Sequence, residues 1–154
     1  MFRILSVGKM FLGCGLAVTM FVPLGVAHAK SRETVLHAFT RGNDGAYPFA
    51  SLIADQQGNL YSTTPYGGPN DSGTVFQVAP DGTESVLYTF TGGSDGGTPQ
   101  GGLIMDKKGN LYGTTVNDGT DGRGAVFEYA PKNGTETVLY SFTGGADGAN
   151  PWAH

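Results

Sequence analysis

The sequence predicts an all-β protein: a β-propeller-like array of four-stranded blades, about two and a half repeats long, as an incomplete or open propeller. Three observations predict it. A unit of about 51 residues recurs along the chain. Each unit breaks into short runs of β-branched and aromatic residues, separated by Gly, Asn, Asp and Pro. Apolar side chains also fall on both faces of those runs, as a sheet sandwiched between two others requires.

The chain opens with a segment that is set aside from the fold. Arg3 and Lys9 mark a basic end, "MFLGCGLAVTMFVPLGV" runs without a charge, and "AHA" ends at Ala29. Together these form the secretory pattern, so residues 1–29 are expected to be a signal peptide cleaved after Ala29. An uncleaved anchor is the alternative, but Pro23 interrupts a run already near the lower length for spanning a bilayer. Cys14 is the only cysteine and leaves with that segment. The remainder then has no disulfide, no thiolate nucleophile and no cysteine metal site. It also loses two of nine basic residues and none of thirteen acids, a formal charge of −6. That balance disfavours nucleic acid and anionic lipid as partners.

Three repeats follow, at residues 33–83, 84–135 and 136–154, the last only begun. "ETVLHAFTRGNDGAYP", "ESVLYTFTGGSDGGTP" and "ETVLYSFTGGADGANP" start at Glu33, Glu84 and Glu136, at offsets of 51 and 52 residues. Between them "DQQGNLYSTT" at Asp55 matches "DKKGNLYGTT" at Asp106. The strands expected in one unit are "VLYTF", "GLIMD", "NLYGTT" and "AVFEYA". Alternation would send Val86, Tyr88 and Phe90 to one face and Leu87 and Thr89 to the other.

The recurrent phrase Gly58, Asn59, Leu60, Tyr61 and its copy Gly109, Asn110, Leu111, Tyr112 is read as structural. Asp55 or Asp106 accepts from amides ahead of it and the glycine supplies a positive φ, closing a hairpin between the second and third strands of a blade. "GGPNDSG" and "NDGTDGRG" occupy the same slot in their repeats and differ most. They are the candidates for exposed, variable loops.

"GNLYGTT", "GTVFQVAPDGTESVLYTFTGG" and "DGGTPQGGLIMD" resemble the tandem GloVer repeat of choice-of-anchor repeat proteins. The resemblance covers residues 33–152. It implies an exported bacterial β-propeller-like array, commonly tethered to the cell surface, with no established enzymatic activity and no catalytic residues to carry over. The chain departs from that pattern in its copy number and in lacking a C-terminal anchor segment. It stops at "NPWAH", where a third "LIxDxxGNLY" is due. The expectation is a truncated product of a longer array, with self-association of two or three chains into a ring as the second reading.

Chemistry-bearing motifs give little. "GGSDG" satisfies the G-x-S-x-G pattern of a nucleophile elbow, but its copies "RGNDG" and "GGADG" replace Ser94 by Asn43 and Ala146. The only histidines available as bases are His37 and His154. Asp44, Asp95 and Asp147 recur in register and are the calcium candidates, set against Asx-turns, since each loop offers one carboxylate where calcium wants several. No cofactor is implied. Phe39, Tyr61, Phe76, Phe90, Tyr112, Phe127 and Phe142 recur by unit and read as core, whereas Tyr47, Tyr66 and Trp152 lie in irregular segments. The expected function is an exported binding or structural module, periplasmic, cell-surface or extracellular, meeting a glycan, a peptide or a surface component. The alternative is a metal-dependent hydrolase or lyase with a site in the propeller channel, which would need convergent His, Asp or Glu.

Overall fold

A computed structural model describes residues 33–152, and residues 1–29 with the Ala29 cleavage site lie outside it. The described residues form eight strands: β1 (Ile53–Ala54), β2 (Leu60–Thr64), β3 (Thr74–Val78), β4 (Glu84–Thr89), β5 (Ile104–Met105), β6 (Leu111–Thr115), β7 (Ala125–Ala130) and β8 (Thr135–Ser141). They make two four-stranded antiparallel sheets in the order β1-β2-β3-β4 and β5-β6-β7-β8, with no crossover. No closed ring of sheets exists among the described residues.

The structural unit is displaced by one strand from the unit read in the sequence. β4 and β8 carry the phrases that open the second and third sequence repeats, and each closes the preceding sheet by pairing with β3 or β7. The Asp55 and Asp106 hairpins therefore join the first and second strands of a sheet, not the second and third. The change from a 51- to a 52-residue offset also has a local cause. The β3–β4 turn "APDGT" closes with Gly82 N–H donating to the Ala79 carbonyl, whereas "APKNGT" holds one more residue and closes from Gly134 to Ala130.

The facing of β4 is corrected as well. Val86 stands opposite Phe76 and Tyr88 opposite Val75, leaving Leu87 as an extra residue in a bulge. Cross-strand partners share a face, so Val86 and Tyr88 point to opposite sides. The bulge turns Leu87 and Tyr88 both onto the core between the sheets. The same shift lies between Val126 and Phe127 in the second sheet.

That core is where the repeats lock. Tyr61 and Val75 of the first sheet meet Leu103, Leu111, Phe127 and Tyr129 of the second. Phe90, just past β4, lies edge-on to Phe127 at 5.1 Å and to Tyr88 at 5.2 Å. One repeat earlier Phe39 meets Phe76 at 4.8 Å, with His37 edge-on to Phe39 in place of a tyrosine. Gly113 pairs with Phe127, and a Cβ there would lie 2.7 Å from the ring. In the first sheet Ser62 fills that position and donates to the Ser51 carbonyl at 3.1 Å.

Residues 34–39 repeat the sequence of β4 and β8 yet form no strand. Their copies are strands because a third strand stands beside them, and no earlier sheet offers that edge among the described residues. Beside them lies a groove of about 340 Å³, lined by Leu36, Leu52, Leu60, Phe76 and Val78 among others. Its lining positions correspond, one repeat later, to Leu87 of the first sheet and to Leu103, Leu111, Phe127 and Tyr129, which pack together in the core. On the far side of the second sheet, Ile104 is 69 % exposed, although its counterpart Ile53 packs on the core.

Phe90→Ala should destabilise the protein by about 3–5 kcal/mol, because the ring is fully buried between two sheets. Gly109→Ala, with open space at Cβ but a φ of 88°, should cost only the backbone strain of about 1–2 kcal/mol. Urea unfolding of both variants measures the difference.

Candidate functional site

The sheets present two ends. One is closed by short structural turns. At Asp55, Oδ1 accepts from the Gln57 and Asn59 amides, both at 2.9 Å, and Oδ2 accepts from the Asn59 side chain at 2.8 Å and the Tyr61 hydroxyl at 3.0 Å. Asp106 repeats the set with Lys108, Asn110 and Tyr112. The phrase D-x-x-G-N-L-Y is thus one hydrogen-bonded unit in which each conserved-spacing polar group has a partner. Desolvation pushes both carboxyls up, and these donors more than reverse it, leaving both below the ordinary aspartate range.

The other end carries the longer connections. Each repeated loop is held by its aspartate: Asp44 accepts from the Thr40 amide and hydroxyl, Asp95 from those of Thr91, and Asp147 from those of Thr143. Tyr88 and Tyr140 add their hydroxyls to Asp95 and Asp147 at 2.9 and 2.7 Å. At Asp44 the corresponding contact is His37 Nε2 at 3.5 Å. These calcium candidates stand in three separate loops, each bonded within its own turn. Among the described residues no three His, Cys, Asp or Glu side chains gather as a metal site. The glycine after Asp44 and Asp95 is required, since a Cβ on Gly45 or Gly96 would collide with the Thr64 or Thr115 hydroxyl, whereas a Cβ on Gly148, after Asp147, would meet open space. Ser94 is exposed in the turn between β4 and β5, and the described residues contain no helix to form an elbow with it.

The two most divergent loops, β2–β3 and β6–β7, share one backbone. Gly67, Gly68, Asp71 and Gly73 have positive φ, and so do Asp118, Gly119, Gly122 and Gly124 at the matching positions. Their hydrogen bonds match too. Gly68 and Gly119 donate to the carbonyls of Gly42 and Gly93 at 2.9 Å, and Thr98 and Asn150 donate to those of Ser72 and Arg123. Each loop is therefore tied to the segment before it and the segment after it. On this common frame Tyr66 becomes Asn117, Asn70 becomes Asp121 and Ser72 becomes Arg123.

At this end of the first repeat, four side chains come together. Tyr47 and Phe49 lie nearly parallel, 18° apart with centroids at 5.9 Å, and Tyr66 meets Tyr47 edge-on at 6.1 Å. The Arg41 guanidinium sits 5.5 Å over the Tyr47 ring and donates to its hydroxyl at 3.4 Å. Tyr47, Phe49 and Tyr66 are 48 %, 72 % and 38 % exposed. A cleft of about 380 Å³ opens beside Arg41 and Tyr47. Sequence reading had Tyr47 and Tyr66 as loop aromatics but missed Phe49 and Arg41. The signal was present in the repeat columns, where Arg41, Tyr47, Phe49 and Tyr66 face Gly92, Thr98, Gln100 and Asn117. Trp152 stands in the column of Phe49, and both line a separate pocket of about 490 Å³.

Two acids also escaped the sequence. Glu84 and Glu136 open β4 and β8, and each has a buried Oε1 without a hydrogen-bond partner. Burial pushes the Glu136 carboxyl up to about 7, the Asp95 carboxylate adds to the rise, and the Tyr88 hydroxyl pulls part of it back. Burial likewise raises Glu84, with His37 opposing and Asp44 adding. Such a group binds a proton in the fold that the unfolded chain has released, so its stabilisation is complete below the ordinary value of 4.5 and lost as pH rises through about 7. The melting temperature should fall between pH 5 and pH 8, and Glu136→Gln should reduce that fall and raise the value at pH 8. Thermal unfolding followed by circular dichroism across that range checks it.

No curated protein matches the chain. The model of the Gloeobacter/Verrucomicrobia repeat does, over residues 24–154, which takes in both sheets and all the loops described above. The chain therefore belongs to the Gloeobacter/Verrucomicrobia (GloVer) repeat family.

Proposed function

We propose that this GloVer repeat protein is an exported, propeller-type module that binds through the loop end of its sheets. The observation that carries this reading is the pair of β2–β3 and β6–β7 loops. Matching hydrogen bonds at the loop glycines with exchanged side chains separate the part of the chain that holds shape from the part free to vary, as in scaffolds whose function lives on loops. Export rests on the basic, apolar and A-x-A segments before Lys30.

Propeller-type stacking is supported by the way β4 of the first sheet delivers Phe90 onto Phe127 of the second, a contact that Phe39 repeats on Phe76 from a segment that is not itself a strand. Completion of a ring by several copies fits less well. A second copy laid on the groove beside Phe76, in the manner of the first sheet on the second, would bring its own β8 to the place held by residues 34–39. Both segments are copies of one fourth strand, and only one can occupy that edge. Rings of this chain alone would need one of them to leave.

Expression in a bacterial host with an export pathway tests the reading. The protein recovered outside the cytoplasm should begin at Lys30 by N-terminal sequencing. Full-length chain retained in the cytoplasm would contradict it.

A further inference from the structure

We propose that Tyr47, Phe49, Tyr66 and Arg41 form a carbohydrate-binding platform at the loop end of the first repeat. The proposal rests on the module reading above and names its ligand class. The fold does not demand these residues. The second repeat builds the same backbone, including the positive φ at Tyr47 and Thr98, with Thr98, Gln100, Asn117 and Gly92 in the four columns. The third column set reads Asn150 and Trp152 opposite Tyr47 and Phe49. Packing therefore does not explain the aromatics, and their exposure leaves apolar ring faces in water.

Their chemistry fits a sugar. The Phe49 ring, the most exposed of the three and nearly parallel to Tyr47, offers a flat apolar surface to the C–H face of a pyranose, and Tyr66 stands edge-on to Tyr47 beside it. Arg41 spends one contact on the Tyr47 hydroxyl, and its planar fork keeps further N–H donors for ligand hydroxyls. The adjoining cleft, about 380 Å³, lies within the range of roughly 300–1,000 Å³ usual for small-ligand sites. The carboxylate of the same loop, Asp44, is bound by Thr40 and Gly42 in its own turn. With the chain acidic overall, the ligand class is a neutral rather than an anionic glycan.

The repeat itself supplies the control variants. Arg41→Gly, Tyr47→Thr, Phe49→Gln and Tyr66→Asn each install the residue that the second repeat already carries on that backbone, so folding should persist. The full chain is screened on glycan and peptide arrays, and hits are titrated by calorimetry. The proposal expects selective binding of neutral glycans, weakened at least about tenfold by Tyr66→Asn or Phe49→Gln with the melting temperature unchanged. Glycan binding that survives the fourfold variant would overturn this site while leaving the module reading intact. Peptide binding lost in the variant would overturn the ligand class, and silence on both arrays would overturn the module reading with it.

Discussion

The fold depends on one contact made twice: the phenylalanine that ends a V-L-x-x-F phrase meets, edge to ring, the central phenylalanine of the sheet that follows it. Phe90 on Phe127 and Phe39 on Phe76 repeat this geometry at 5.1 and 4.8 Å. A lone four-stranded meander with two apolar faces cannot bury both, so each sheet needs another beside it. The bulge beside Leu87 serves the same contact. By setting Leu87 and Tyr88 on one side, it widens the apolar surface that β4 turns toward Phe127 and Tyr129.

This arrangement divides the labour along the chain. The D-x-x-G-N-L-Y turns at one end spend Asp, Asn and Tyr on one another and on the amides of the turn. The other end is built from loops whose glycines and turn aspartates hold the backbone, while Tyr66, Asn70 and Ser72 or their counterparts decorate it. A loop tied at several points loses little entropy on meeting a ligand. The recurrent aspartates accept from the threonine amides and hydroxyls of their own loops, as Asx-type turns do.

Much of this was legible in the sequence because it is written twice. Strand identity, hairpin chemistry at Gly58 and Gly109, and burial on both faces of "TVFQV" all follow from repeated local patterns. The phase of the sheets was not legible. A repeat can be cut anywhere, and only pairing partners reveal that the strand at Glu84 belongs with β3. The bulge was hidden for a related reason, since strict alternation is a property of an unbroken ladder and Leu87 breaks it without any glycine to announce it. The aromatic cluster was half visible. Tyr47 and Tyr66 stood out as loop aromatics, but only folding brings residues 41, 47, 49 and 66 to one place. Nothing in the local pattern marks Glu84 and Glu136 as buried, and only folding leaves one oxygen of each unpartnered.

If the Phe90–Phe127 interlock couples the repeats, the two sheets are one cooperative body. Native-state hydrogen exchange in rising urea measures this most directly, through the opening free energies of the β2–β3 and β6–β7 amides. The account predicts that both sets merge into a single unfolding transition at the same denaturant concentration. Separate transitions, with one sheet opening fully while the other keeps its protection, would contradict it.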